Sequence, residues 1–199
     1  MSQNTDPHIV TIHDVRLSFP NLFAAKQAKD ANGQPTGKAT FSAVFQLSKV
    51  KNKADIAKLT AAAVFTMIEK WQDKPVNLIG KSIREGSEKE ATDGYGPEVV
   101  FISARNERRV PVVDQKLRPL TGEDGKPYAG CYVDATVRCW AQDNSYGKRL
   151  NWGLVNVQYR RAGDPFGEKP IPVESTLAEL PDEDGGQVDQ TPASVDSGI

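Results

Sequence analysis

The segment Cys131-Tyr132-Val133-Asp134-Ala135-Thr136-Val137-Arg138-Cys139-Trp140-Ala141 decides the fold. Its odd-numbered residues are small and apolar: Cys131, Val133, Ala135, Val137, Cys139 and Ala141. Its even-numbered residues carry rings, a hydroxyl and charge: Tyr132, Asp134, Thr136, Arg138 and Trp140. A period of two is the signature of a strand with one buried face. Small inward groups suit the tight interior of a barrel. Solvent-facing Tyr and Trp beside Arg call for a function, because burying either ring is worth a few kcal/mol.

The surrounding chain supplies more strands. Asp143-Asn144-Ser145-Tyr146-Gly147 is a turn leading to a partner strand over about Leu150–Arg161. Upstream, Val15, Leu17 and Phe19 alternate with Arg16 and Ser18 in a strand from about Ile9 that Pro20 ends. Asn32-Gly33 marks a turn. Ala39, Phe41, Ala43, Phe45 and Leu47 then face one way along Lys38–Leu47. From Lys53 to Trp71 the period turns helical, with Ile56, Leu59, Ala63, Met67 and Trp71 on one stripe. Residues 72–97 are loop-rich, a further strand covers Val99 to about Ala104, and a short apolar piece covers Val110–Val113. Five to six strands, one helix and long loops predict a mainly β protein, an oligonucleotide-binding-fold (OB-fold) barrel of five strands. The domain is expected over residues 9–167, with disordered segments at 1–8 and 168–199.

Charge is unevenly spread. From Ile171 onward there are seven acidic residues and no Lys or Arg; taking those seven from a net −1 leaves +6 on residues 1–170. A basic body with an acidic tail points to an anionic ligand, and to a tail that competes with it or recruits partners. The 199 residues, 38% of them hydrophobic, support one core. There is neither a run of about 20 apolar residues nor a signal-peptide pattern at the start, so a soluble, cytoplasmic protein without membrane contact is expected. Cys131 and Cys139 on one strand stand about 26 Å apart, far beyond disulfide reach, and are read as buried free thiols.

Single-stranded nucleic acid accounts for the outward residues: bases stack on rings while Arg and Lys hold phosphates. The candidate site is Tyr132, Arg138 and Trp140, with Tyr146, Lys148, Arg149 and Trp152 at and after the hairpin and Arg105, Arg108 and Arg109 after an earlier strand. Trp152 also fits an inward set with Leu150 and Leu154, with Gly153 as a bulge between faces. No phosphate loop, dinucleotide fingerprint, zinc spacing or nucleophile elbow is present, so neither cofactor nor catalysis is expected. The alternatives are a metal-dependent nuclease, for which Asp114, Asp134 and Asp143 would have to converge, and a virion or scaffolding component.

Four runs, Arg16-Leu17-Ser18-Phe19-Pro20-Asn21-Leu22-Phe23, Arg108-Arg109-Val110-Pro111-Val112-Val113-Asp114, Gly130-Cys131-Tyr132-Val133-Asp134-Ala135 and Gly153-Leu154-Val155-Asn156-Val157-Gln158, come in the order seen in a known family. They resemble the single-stranded-DNA-binding proteins of tailed bacteriophages, long catalogued as a domain of unknown function. The resemblance implies an OB barrel distantly similar to the T7-type protein, and sequence-independent binding of single-stranded DNA in phage replication or recombination. It also implies an acidic tail that contacts phage or host replication proteins or covers the empty groove. Here the tail ends Val195-Asp196-Ser197-Gly198-Ile199, without the terminal aromatic of the T7-type and bacterial proteins.

Overall fold

The computed structural model describes residues 6–72 and 76–167. The expected acidic tail and residues 1–5 lie outside them. Among the described residues, seven strands and one long helix follow one another: β1 (Ile9–Lys29), β2 (Pro35–Ser48), α1 (Lys53–Trp71), β3 (Arg84–Glu85), β4 (Val99–Asn106), β5 (Val112–Val113), β6 (Tyr132–Asn144) and β7 (Gly147–Arg161). Five strands close on themselves in the order β1-β2-β4-β7-β6 and back to β1. All neighbours in this ring are antiparallel except β4 and β7, which pair in parallel through Ala104↔Trp152 and Arg105↔Gly153. Short β3 extends the edge of β4, and β5 extends β7. The expected five-stranded OB barrel is the observed one.

The interior is the inward register of every strand. Ile12, Val15 and Leu17 meet Phe45 and Leu47, Ile102, Val133 and Val137, and Trp152 and Leu154, all almost fully buried. Cys131 and Cys139 are buried free thiols among them. Burial pushes the Cys131 thiol up to about 11 and raises that of Cys139. Helix α1 has the expected bounds and packs Leu59, Ala62, Ala63 and Trp71 against the barrel. It is pinned at both ends. The Asn52 side-chain amide donates to the His13 carbonyl, and the His13 amide donates to Asp55. At the far end Trp71 Nε1 donates to Asp143 Oδ2 at 2.7 Å.

Three expectations need correction. Pro20 does not end β1; the strand continues to Lys29 past a register shift between Ser18 and Asn21. Phe19 there takes φ 46°, so it leaves the interior face that alternation assigned it and Ser18 is buried instead. Gly153 is not a bulge. β7 shifts register between Leu154 and Asn156 and again between Tyr159 and Arg161; the first shift moves the inward set from Trp152 and Leu154 to Val157 and Tyr159. Finally, Asp6 to His8 take part in the fold: His8 Nδ1 lies 2.9 Å from Thr66 Oγ1, and Nε2 lies 3.1 Å from Glu69.

Candidate nucleic-acid interface

The outer surface of β2, β4, β7 and β6 is continuous because register aligns outward residues from strand to strand. One row runs Asn21, Ser42, Arg105, Gly153, Arg138 across β1, β2, β4, β7 and β6. The neighbouring outward positions include Val44, Ser103, Asn151 and Trp140. Gly153 presents no side chain in the middle of the row. A Cβ built there would lie 3.8 Å from Trp140 Cδ1, so the indole edge leans over the glycine toward β4. Trp140 is 40% exposed.

At the β2–β4–β7 end of this surface lies a cleft of about 410 Å³. Lys81, Arg84, Arg105 and Arg149 line it, with Ser42, Ser103 and Asn151 between them and Phe19 at one side. No carboxylate is among its lining residues. Arg84 is tied to Glu88 at 2.6 Å. Lys81, Arg105 and Arg149 have no ion-pair partner among the described residues. Fixed positive charge along a concave wall concentrates anions there.

The ten residues singled out from sequence fall in several places. Arg105 and Arg149 stand in the cleft. Trp152 borders it from inside: it is 2% exposed and donates Nε1 to the Ser82 carbonyl at 2.9 Å. Its ring is core, because the residue shares the inward register of Leu150 and Leu154. Arg138 and Trp140 occupy the adjoining outer face, with Arg138 ion-paired to Asp6. The Asp6 carboxyl is held below the usual carboxylate range by the His8 amide and by Arg138.

Tyr132, at the other end of β6, is capped by its own chain. The Arg161 guanidinium carbon sits 3.4 Å from the ring centroid, and a Cβ on Gly163 would come within 3.0 Å of the ring. Arg161 is in turn held by Asp14, whose carboxyl that hydrogen bond keeps below its ordinary range. Lys148 turns toward α1, 3.8 Å from Asp143 and 5.8 Å from the Trp71 ring centroid. Tyr146, 79% exposed, occupies the hairpin tip. Arg108 and Arg109 are exposed on the connection from β4 to β5, outside the cleft lining.

Of the aromatic, cationic and polar residues lining the cleft, sequence reasoning did not single out Phe19, Ser42, Lys81, Arg84, Ser103 and Asn151. Lys81 sits in a loop without periodicity, and Phe19 was hidden by an alternation that the β1 bulge breaks. The three carboxylates that a nuclease would need do not converge. Asp114 is bonded to Arg118, Asp134 to Arg160, and Asp143 to Trp71. Among the described residues no three His, Cys, Asp or Glu side chains group as metal ligands, and no helix is long and apolar enough to cross a membrane.

Known proteins resemble this chain in sequence and in fold. A protein designated p50 from Acyrthosiphon pisum secondary endosymbiont phage 1 is 37% identical over 167 residues, covering 79% of this chain and 85% of that one. The single-stranded DNA-binding protein from bacteriophage Enc34, solved in complex with ssDNA, superposes with a TM-score of 0.70 at 23% identity, covering 81% of this chain and 91% of that one. A C-terminal truncation of the Enc34 protein gives a TM-score of 0.68 at 23% identity, with 81% and 90% covered. These solved structures share the barrel fold. Residues 8–185 match the family described as "Enterobacter phage Enc34, ssDNA-binding protein", and the chain belongs to that family.

Proposed function

We propose that the chain binds single-stranded DNA without reading its sequence, in phage replication or recombination within the infected host's cytoplasm. The observation that carries this is the cleft on the β2–β4–β7 face, with four cations and no carboxylate in its lining. Family membership points the same way. The backbone of the strand lies along Lys81, Arg105 and Arg149. Bases continue over Gly153 to stack on Trp140, whose ring is already turned that way. Arg138 and the exposed Arg108, Arg109 and Tyr146 flank this path. One barrel of this kind covers roughly 4–16 nucleotides. The role is binding rather than catalysis, supported by Asp114, Asp134 and Asp143 each being engaged apart from the others. The carboxylates beyond Ile171 compete with DNA for the cleft or engage replication proteins.

Competition among single-stranded DNA, duplex DNA and RNA at two salt concentrations tests the reading. Single-stranded DNA should win. Its log affinity should fall against log salt with a slope of about −0.7 per phosphate neutralised. Absence of salt dependence, or equal affinity for duplex, overturns it.

A further inference from the structure

Phe19 combines three observations that packing alone does not explain. Its backbone sits at φ 46°, a region a bulky side chain seldom enters. That strain turns a large apolar ring out of the core: Phe19 is 52% exposed, while the strand neighbours Leu17 and Leu22 are buried. The ring is nevertheless held in place. The Lys89 ammonium lies 5.1 Å from its centroid, and the same ammonium is held 5.5 Å from the Tyr95 ring and 5.3 Å from the Phe101 ring. The ring flanks the cleft that holds Lys81, Arg105 and Arg149. Strained backbone that exposes a side chain persists where the exposure serves a purpose.

Resting on the single-strand reading above, we infer that Phe19 is a base-stacking platform at the β1 end of the cleft, opposite Trp140 at the β6 end. Lys89 approaches the ring and adds positive charge beside it for the neighbouring phosphate. The two rings bracket an outer face of four strand-to-strand steps, about 19 Å along the surface. A nucleotide strand enters over one ring and leaves over the other, with the cations between.

The experiment compares wild type with Phe19→Gly, Phe19→Leu and Phe19→Tyr on an oligo(dT) and on an equally long strand of abasic sites. Glycine suits φ 46° and keeps the bulge, so F19G should fold; F19L and F19Y decide the matter if it does not. F19G and F19L should lose about tenfold or more on oligo(dT), as expected for one stacked base, and F19Y should keep wild-type affinity. On the abasic strand all four proteins should bind alike. The salt slope should stay that of wild type, because no phosphate contact is removed from the cleft. Wild-type affinity in F19G, equal affinity in F19L and F19Y, or the same loss on both strands overturns the assignment. A wild-type protein that does not prefer single strands instead overturns the underlying reading, so the two failures are distinguishable.

Discussion

Trp140 and Trp152 are one residue out of step across the β6–β7 ladder, since Trp140 faces Asn151 and Trp152 faces Cys139. That single step separates an indole in solvent from an indole in the core. Trp152→Ala should cost about 3–5 kcal/mol through the cavity it leaves, read as a large fall in melting temperature. Trp140→Ala should leave the melting temperature nearly unchanged and weaken oligo(dT) binding by about tenfold, the worth of one stacked base. A second residue-scale expectation concerns Cys131. Burial raises its folded-state thiol to about 11, so the unfolded chain gives up this proton first as pH rises. Stability from this group is therefore intact below the unfolded value near 9 and is lost as pH climbs toward 11. Denaturant midpoints from pH 8 to 11 should decline, and less steeply in a Cys131→Ala variant. Alternation in β6 correctly turned Arg138 and Trp140 outward from sequence. Alternation in β1 misplaced Phe19, because that residue's left-handed backbone breaks the parity of the strand and periodicity carries no sign of the break.

Among the elements, the existence and ends of α1 were legible from a 3.6-residue apolar stripe between two loops, and Leu59, Ala63 and Trp71 are buried as read, whereas Ile56 and Met67 are half-buried and Ala62 and Thr66 share the inner face. β1 was legible only as far as Phe19, because a proline in a strand reads as a stop unless a bulge accommodates it. The capping of Tyr132 was out of reach for a different reason. Arg161 covers that ring only because Asp14 holds its guanidinium from another strand, and such three-way encounters depend on register. The segment after β7 has a comparable dependence on Gly130. This glycine adopts φ 100°, and a Cβ there would stand 2.1 Å from the Asp164 carbonyl oxygen. Arg16 ties the same two places together, donating to the Gly130 and Asp164 carbonyls. Gly130→Ala should therefore destabilise by more than about 1 kcal/mol and free residues 162–167 to protease, while DNA affinity at low temperature stays close to wild type.

Over the whole molecule, the proposed competition between the acidic stretch and DNA has a direct test in the charge imbalance. Deleting residues 171–199 removes seven negative charges and should tighten binding, most at low salt where screening is weakest. Unchanged affinity in the truncated chain would remove that role. The barrel itself has one short seam. Neighbouring strands in the ring are laced by six or more matched residue pairs, whereas β4 meets β7 through two. Arg105 lies on one lip of that seam and Arg149 on the other strand, and both belong to the cleft. Partial opening should begin where the fewest bonds must break. A polyanion gripping both lips acts as a suture, and mass action makes the gain grow with ligand: about 2.7 kcal/mol at a hundredfold excess over Kd. Slowed amide exchange at residues 104–105 and 152–153 should report it. Grip and integrity then form one equilibrium: a barrel that gapes lets go of its cargo, and a laden barrel resists gaping.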